Sequence, residues 1–298
     1  MDGAHARTFT IADPYSFPGE YRKAQLHLHT SNSRDVQPKI PVAATVDKYR
    51  QRGYQYLVIT DHEVVTDCSN LNAPDLTVLP GVEETIPFLF WPLGKHLVRI
   101  APPTGEKSAS GSKFYADLSL PSHPNWQGNL GTGRWYLHDL LRLPDLKLIE
   151  IYNRHSSPAA DIQLWHQLLH QRGFQNPVWA VAVDDSDNGE PIDRGWIMVK
   201  TPDLTPASLI TALKNGAFYA TTGISADFRV IDGVIHANSE NGKEIRFLNH
   251  QNLIIASFES KSSQYVPQGG EVFIRVEISN PQGQTAWSQP FFLIPTTK

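Results

Sequence analysis

The chain has 298 residues, of which 40% are hydrophobic, so it can bury the core of one large domain or of a large domain and a small one. A formal net charge of -4 excludes the basic footprint of generic nucleic-acid or anionic-membrane binding, although a single nucleotide is compatible with it as a substrate. The only cysteine, Cys68, excludes an intrachain disulfide and a thiolate-rich zinc site. The N-terminal residues lack the apolar run of a signal peptide, and the longest apolar stretch is too short to span a bilayer, so we expect a cytoplasmic protein.

The region from Ala24 to Ala220 alternates short apolar runs with helical patterns. Eight runs rich in Val, Ile and Leu, with weak alternation, predict strands that are covered on both faces. They are AQLHLHT (24–30), QYLVITD (55–61), LTVLPGVE (76–83), HLVRIAP (96–102), ADLSLPSH (116–123), LKLIEIYN (146–153), VWAVAVDD (178–185) and GWIMVK (195–200).

Three segments between these runs predict helices. PVAATVDKYRQRG (41–53) places Val42, Val46 and Tyr49 on one face. SSPAADIQLWHQLLHQRG (156–173) and TPASLITALKNG (205–216) begin with serine or threonine just before a proline, which suits a helix N-terminus. Each of the three ends on a glycine that suits a C-cap. Strands that alternate with helices predict an α/β domain with a largely parallel sheet or barrel.

The sequence changes character after Gly223. The remaining residues predict short strands separated by Asp-Gly, Asn-Gly and Pro-Gln-Gly turns, with no helical period. We therefore predict a larger domain over residues 1–223 and a small β-rich, sandwich-like domain over residues 224–298.

Two histidines, His27 and His29, stand one residue apart in the first predicted strand. Strand alternation sends both to the same face, while Leu26 and Leu28 point to the other. The pair alone is compatible with two ordinary strand histidines or with the start of a metal site.

Further histidines and acids favour the metal site. They border or follow the other predicted strands: Asp61, His62, Glu83, His96, His123, Asp184, Asp185 and Asp187. Most lie at the C-terminal ends of strands, where parallel α/β barrels carry their active sites. Because all the donors are nitrogen and oxygen, the set suits Zn, Mn, Fe or Mg in more than one site.

These residues form an ordered series of motifs: H-x-H-T (27–30), TDHE (60–63), LPGVE (79–83), SHP (122–124) and a late acid cluster. The series resembles the PHP (polymerase and histidinol phosphatase) superfamily over essentially the whole chain. The segments SFPGEYRKAQLHLHT, LIEIYN and RVEISNPQGQTAWSQP resemble the branch that includes carbamate-insecticide esterases. The resemblance implies a distorted (β/α)7 TIM-like barrel, with the small β-rich appendage behind it, and two or three divalent ions.

The resemblance also implies a set of metal ligands. The first ion would take His27, His29, Glu83 and Asp185. Glu83 would bridge to a second ion, held also by His96 and His123. A third ion would take His62 and Asp35, with Asp187 as a further ligand.

Two positions depart from the family pattern. Arg34 stands where many members have aspartate, so Asp35, one residue later, is the natural substitute. Asp187 stands where a histidine is common, and this harder donor would favour Mn, Mg or Fe over zinc. In an alternative frame, Asp187 replaces Asp185 at the first ion and Gly189 takes the place of the histidine; we prefer Asp185, which lies nearer the strand.

The expected nucleophile is a metal-bound hydroxide rather than a side chain. Candidates for the proton donor to the leaving oxygen are His123, His155 and Asp187. Candidates for substrate contacts are Asn153, Arg154 and Arg194, since an arginine can bind a phosphate through two parallel hydrogen bonds. We expect Asp61 to orient a ligand or cap a helix rather than to bind metal.

We therefore predict a metal-dependent phosphoesterase acting on a small phosphate ester, such as a nucleotide or a sugar phosphate. The alternative is hydrolysis of a carboxylic or carbamic ester at the same centre. A third possibility is an inactive barrel that binds metal and serves as a binding module.

Two other features carry no predicted function. GNLGTGRW (128–135) contains three glycines, but no strand precedes it and no Lys-Ser/Thr follows, so we predict a plain loop. His166 and His170 lie one helical turn apart without an acid partner, so we predict that they belong to a solvent-exposed helix face.

Overall fold

The computed structural model describes residues 9–34, 40–88, 93–101, 116–143, 145–187 and 190–296. The strands are β1 (Phe9–Ile11), β2 (Glu20–Gln25), β3 (Tyr56–Ile59), β4 (Thr77–Pro87), β5 (Gly94–Ile100), β6 (Leu118–Pro121), β7 (Leu148–Tyr152), β8 (Trp179–Ala182), β9 (Trp196–Thr201), β10 (Phe218–Thr221), β11 (Ala226–Ile231), β12 (Val234–Ser239), β13 (Glu244–Asn249), β14 (Ile254–Phe258), β15 (Ser262–Tyr265), β16 (Phe273–Ser279), β17 (Thr285–Trp287) and β18 (Phe291–Pro295). The α-helices are α1 (Val42–Arg50), α2 (Leu137–Leu141), α3 (Pro158–Arg172) and α4 (Pro206–Asn215).

One large mixed sheet contains 13 of the strands. Its main path runs in the order β1-β18-β16-β17-β10-β9-β2-β3-β4-β5-β6, and β13 joins it beside β16 with β14 on its other side. Strands β2, β3 and β4 pair in parallel, whereas β4, β5 and β6 pair antiparallel. Strands β7 and β8 form a separate parallel pair, and β11, β12 and β15 form a three-stranded antiparallel sheet.

The predicted distorted (β/α)7 TIM-like barrel is wrong. Among the described residues the strands form a mostly antiparallel sheet that does not close into a barrel, and the eighteen strands are accompanied by only four α-helices. The reason lies in the connections: the chain reverses directly between β4 and β5, where the Phe88 N–H donates to the Leu93 carbonyl at 2.8 Å. A parallel pair needs a long crossover, usually helical, and this short reversal gives an antiparallel pair instead.

The individual elements agree better with the predictions. Each of the eight predicted strand runs overlaps a strand, although the first shares only Ala24 and Gln25 with β2, and α1, α3 and α4 lie where helices were predicted. Helix α4 shows why: the Thr205 hydroxyl accepts from the Ser208 N–H at 3.3 Å, and Gly216 ends the helix at a φ of 69°. A Cβ on Gly216 would lie 2.6 Å from the Trp179 ring, so both φ and packing favour glycine there.

The core that supports the site lies under α3 and the strands of residues 24–220. Strands β3, β6 and β8 are buried along their whole length. Helix α3 buries Leu164, Trp165, Leu168 and Leu169, and the Trp165 indole donates to the Val178 carbonyl at 2.8 Å. Removal of this apolar surface from water stabilises this part of the chain.

The prediction of a solvent-exposed face for His166 is wrong. The ring is buried against Arg275 of β16, whose Nε donates to His166 Nε2 and whose guanidinium also pairs with Glu277. Burial and the Arg275 charge lower the pKa of His166 to about 3, so the ring is neutral and can accept this hydrogen bond. His170, one turn later, is exposed as predicted.

Strands on both sides of Gly223 share the large sheet, because β17 pairs with β10 and β18 pairs with β1. A second apolar core lies beneath these C-terminal strands and contains Phe228, Phe247, Ile274 and Val276. The division into domains at residues 1–223 and 224–298 stays a prediction.

Among the residues that the structure describes, no helix is both long enough and apolar enough to cross a membrane.

Candidate metal centre

The two histidines of the first motif lie just beyond a strand rather than inside it. Strand β2 ends at Gln25, and the next residues run on between the ends of β3 and β8. The Thr60 N–H donates to the Leu28 carbonyl at 3.0 Å, and the His29 N–H donates to the Ser186 carbonyl at 3.2 Å. Alternation persists in this extended segment: Leu28 is buried in a core cluster, while the Nε2 atoms of His27 and His29 come within 3.2 Å of each other.

A first cluster of ligand atoms contains His27, His29, Glu83 and Asp185. One ligand atom from each lies within 4.8 Å of the others, and all four residues are buried. Asp185 Oδ1 lies 3.2 Å from both Nε2 atoms, and Glu83 Oε2 lies 3.4 Å from His27 Nε2 and 3.3 Å from His29 Nε2. These are the four residues that the resemblance implies for the first ion.

A second cluster shares Glu83 with the first and adds His62 and His96. Glu83 Oε2 lies 3.0 Å from His62 Nε2, and Oε1 lies 3.3 Å from His96 Nδ1. His123 Nε2 also lies 3.3 Å from Glu83 Oε1. The structure therefore places His62 beside His96, whereas the resemblance assigned His62 to a third ion; its other ligand, Asp35, lies outside the described residues.

Pairing between the end of β3 and the middle of β4 brings these groups together. The Glu83 N–H lies 3.2 Å from the Asp61 carbonyl, and the Glu63 N–H donates to the Glu83 carbonyl at 3.0 Å. His62 therefore stands beside Glu83 in a single parallel bridge. Antiparallel pairing of β4 with β5 sets His96 opposite Thr85, two residues along the strand from Glu83.

The donor atoms fit divalent metal ions. Within the described residues neither carboxylate oxygen of Glu83 has a hydrogen-bond partner, and neither does His96 Nδ1, although all three are buried. Buried polar atoms normally have such partners, so these converging lone pairs fit a bound metal ion. The donors are imidazole nitrogens and carboxylate oxygens, which suit Zn, Mn or Fe.

Mutual electrostatics control the protonation of the cluster. Burial alone would lower the pKa of His29, but the hydrogen bond with Asp185 and the negative charge of Glu83 outweigh it and raise the pKa to about 10. The same acids raise the pKa of His27 well above its ordinary range. Burial would raise the pKa of the Asp185 and Glu83 carboxyls, yet the neighbouring imidazolium charges hold both well below their usual range. Without metal, protons on the histidines therefore neutralise the acids.

Glu150, which the sequence analysis did not single out, orients two of the histidines. Its Oε1 lies 2.7 Å from His27 Nδ1, which fixes the ring with Nε2 toward the cluster. Its Oε2 accepts from the His123 N–H at 2.6 Å and from Asn153 Nδ2 at 2.7 Å. The signal in the sequence was a single acid inside the apolar run LIEIY, a position that a carboxylate occupies only when it is paired.

Asp61 lies outside both clusters and holds the residues after His29. It accepts from the Thr30 N–H at 2.6 Å and from the Thr30 hydroxyl at 2.8 Å, and Thr66 donates to it as well. The carboxylate of Asp184, the residue next to the ligand Asp185, accepts hydrogen bonds from the backbone N–H groups of residues 193–195 at 2.6 to 3.1 Å. Both acids therefore shape the loops around the site.

Two residues of the centre have left-handed backbone conformations. His123 has a φ of 31° and Asp185 a φ of 48°. Such conformations are unfavourable for residues with a Cβ and persist only where surrounding contacts impose them. Here the His123 N–H donates to Glu150, and the Asp185 N–H donates to the His27 carbonyl at 3.2 Å.

The remaining predicted residues lie around the first cluster or away from it. Asn153 is buried and donates to Asp185 Oδ2 at 2.9 Å, so it holds a ligand in place. Arg154 pairs with Glu190, and its Nε donates to His155 Nε2 at 2.9 Å. Asp187 lies outside both clusters, 4.0 Å from Arg154.

Arg194 is exposed, and its backbone N–H donates one of the hydrogen bonds to Asp184. Its role in substrate binding stays a prediction, as do the ligand roles of Asp35 and Asp187. Gly189, which belongs to the alternative frame for the last motif, lies outside the described residues.

Comparison with known proteins adds evidence on the fold. No protein-family model matches the chain, and no curated protein matches it. The structure is similar to the crystal structure of a two-domain protein from Bacteroides vulgatus that contains a predicted PHP-like metal-dependent phosphoesterase. The TM-score is 0.51 at 14% sequence identity, and the similarity covers 99% of this chain and 93% of that chain. At this identity the similarity shows a shared fold alone, and the branch of carbamate-insecticide esterases stays a prediction.

Replacing one ligand of the first cluster should remove metal. We expect His29→Ala, loaded with Mn²⁺ or Zn²⁺ and then desalted, to retain at least one ion per chain fewer than the wild type, because a tetradentate site loses a donor. Elemental analysis measures this directly. His170→Ala, an exposed histidine outside both clusters, is the matched control, and equal metal loss in both variants would contradict the assignment.

Metal binding should also depend on pH. The pKa of His29 is about 10 in the metal-free protein, so the ring is protonated at pH 7.5 and a bound ion must displace that proton. We expect proton release on Mn²⁺ or Zn²⁺ binding and an affinity that rises with pH up to the pKa of His29. Calorimetry in buffers of different ionisation enthalpy counts the protons. Binding without proton release at pH 7.5 would refute this account.

Proposed function

We propose that the protein is a metal-dependent hydrolase that cleaves small phosphate esters. The observation that carries the proposal is the buried carboxylate of Glu83, which two clusters of imidazoles share and whose oxygens have no hydrogen-bond partner among the described residues. Such an arrangement suits two neighbouring divalent ions, and a third ion at Asp35 and Asp187 belongs to the same proposal. Bound ions would supply Lewis acidity and lower the pKa of a bound water, which is the chemistry that ester hydrolysis needs.

Other residues of the chain would position the ligands, protonate the leaving group and bind the phosphate. Asn153 and Glu150 hold Asp185 and His27, so we assign Asn153 a positioning role instead of the substrate contact predicted from the sequence. His123 Nε2 is directed at Glu83, which favours it as a ligand rather than as the proton donor.

His155 is the best candidate for the proton donor. Burial lowers its pKa, so the ring is neutral near pH 7. Its Nε2 accepts from Arg154 Nε, which leaves the ring proton on Nδ1. Hydrolysis would join the water oxygen to phosphorus and break the bond to the leaving oxygen. When Arg154 turns to the substrate phosphate, His155 Nε2 would be free to take up the proton that the attacking water releases, and the resulting imidazolium would protonate the leaving oxygen from Nδ1. The ring centroid lies 6.5 Å from that of His123, so His155 stands at the edge of the centre.

Arg154, which donates to the His155 ring, is partly buried. In the free protein the Arg154 guanidinium forms an ion pair with Glu190. A substrate phosphate would therefore bind Arg154 by displacing that carboxylate. Exchange of one anion for another keeps the arginine paired in both states.

The fold shared with the Bacteroides vulgatus protein, which contains a predicted phosphoesterase, favours phosphate esters over carboxylic or carbamic esters. We include three further points in this proposal. The native metal is Zn, Mn, Fe or Mg, the substrate is a small molecule, and the protein is cytoplasmic.

Metal-loaded protein should hydrolyse members of a panel of phosphate esters that includes p-nitrophenyl phosphate, sugar phosphates and nucleotides. We expect His27→Ala to lower turnover at least about 100-fold, because the ions that activate water are lost with their ligand. His170→Ala should keep wild-type turnover.

Faster turnover of aryl carboxylates or carbamates than of every phosphate ester would favour the alternative esterase. Stoichiometric metal with no turnover on any panel would indicate the inactive binding module.

The proton donor can be tested through the leaving group. We expect His155→Ala to lower kcat about 10²–10⁴-fold for alkyl or sugar phosphates, whose leaving oxygen needs a proton. For p-nitrophenyl phosphate the loss should be much smaller, because p-nitrophenolate leaves without protonation. Steady-state kinetics on both substrates measure the difference, and equal losses would exclude His155 as the donor.

A further inference from the structure

We propose that Trp126 forms an aromatic wall of the leaving-group subsite, so that the preferred esters carry an aryl or heteroaromatic leaving group. The catalytic part of this inference rests on the proposed function. The binding part stands on the position of the indole and can be tested without turnover.

Trp126 lies directly against the second ligand cluster. Its ring centroid is 4.7 Å from that of His123 and 4.9 Å from that of His96. Both histidines face Glu83 Oε1 at 3.3 Å. The two histidines are buried, whereas Trp126 keeps part of its surface exposed. A molecule that approaches this side of the cluster therefore meets the indole.

The backbone that carries Trp126 is held firmly. The Trp126 N–H donates to the His123 carbonyl at 2.8 Å, which closes a tight turn after the ligand. Asn125 donates from its backbone N–H at 3.0 Å and from Nδ2 at 2.7 Å to Asp161 of α3. The Trp135 N–H donates to the Pro124 carbonyl at 2.9 Å. A wall fixed in this way loses little conformational entropy when it contacts a ligand.

The glycines of GNLGTGRW leave room for this ring. A Cβ on Gly133 would lie 2.5 Å from Trp126 Cε3, and a Cβ on Gly128 would lie 3.0 Å from Cζ3. The sequence predicted a plain loop here, and the structure gives two of its glycines a function in packing. The position of the indole therefore depends on small residues behind it as well as on the histidines in front.

A partly exposed indole beside a centre suited to phosphate can stack on a planar group attached to that phosphate. Such stacking contributes about 1–3 kcal/mol per base in nucleic-acid complexes. By the relation of tenfold per 1.4 kcal/mol, that corresponds to about 5- to 150-fold in affinity. A purely structural role, in which Trp126 only shields the histidines, would give no discrimination between aryl and alkyl esters.

The test compares phenylphosphonate with methylphosphonate, which share a non-hydrolysable phosphonate group, by calorimetric titration of the metal-loaded protein. We expect the wild type to bind phenylphosphonate at least about fivefold more tightly. Trp126→Phe should keep most of this preference, and Trp126→Leu should abolish it while methylphosphonate binding stays unchanged. Trp196→Leu, another partly exposed tryptophan outside both clusters, is the matched control. Elemental analysis confirms equal metal content.

Gly133→Ala is a second variant that leaves every histidine in place. Its added Cβ would displace the indole, so we expect the same loss of preference for phenylphosphonate. Equal affinity of the wild type for both phosphonates would overturn the proposal without reference to any variant. The proposal would also be overturned if Trp126→Leu, at full metal content, lowered the affinity for both phosphonates by the same factor.

The outcome separates this inference from the proposed function. Selective binding of phenylphosphonate that depends on Trp126, without hydrolysis of any phosphate ester, would support the aromatic wall and refute the phosphoesterase. Hydrolysis of phenyl phosphate and methyl phosphate with equal KM values, both unaffected by Trp126→Leu, would support the phosphoesterase and refute the wall.

Discussion

The carboxylate of Glu83 is the group on which the rest of the site depends. It is buried in the middle of β4, and the imidazole nitrogens of five histidines lie 3.0 to 3.4 Å from its two oxygens: His27, His29, His62, His96 and His123. A buried carboxylate without hydrogen bonds requires positive charge close by. Imidazolium protons can supply that charge in the metal-free protein, and divalent ions would supply it when bound. The fold must therefore place all five imidazoles next to the Glu83 carboxylate.

Hydrogen-bonded acids away from the ligand atoms bring these histidines into place. Glu150 joins the side chain of His27 to the backbone of His123, and Asp61 holds Thr30 behind His29. Asp184, beside Asp185, accepts hydrogen bonds from three backbone N–H groups. The Glu150 contact also holds the left-handed conformation of His123, and the His27 carbonyl holds that of Asp185. The centre is thus prepared before a metal or a substrate binds.

The sequence predicted the elements of the fold better than their arrangement. Apolar runs and end signals located the strands and the three helices, because these signals act over a few residues. The barrel was wrong because the direction of β5 depends on the short reversal between β4 and β5, which no local pattern marks. The face of α3 was misjudged for the same reason: His166 is buried by Arg275, a residue 109 positions away.

At the site, the sequence by itself determined which residues could bind metal. The i, i+2 spacing of His27 and His29 is a local property, and ordered motifs with nitrogen and oxygen donors supplied the other candidates. Only the tertiary structure decided how these donors group: His62 joins His96 at Glu83, Asp187 stays outside, and Glu150 and Trp126 enter the site. Those contacts join strands and loops far apart in the chain, so they follow from strand pairing and packing rather than from any short stretch of sequence.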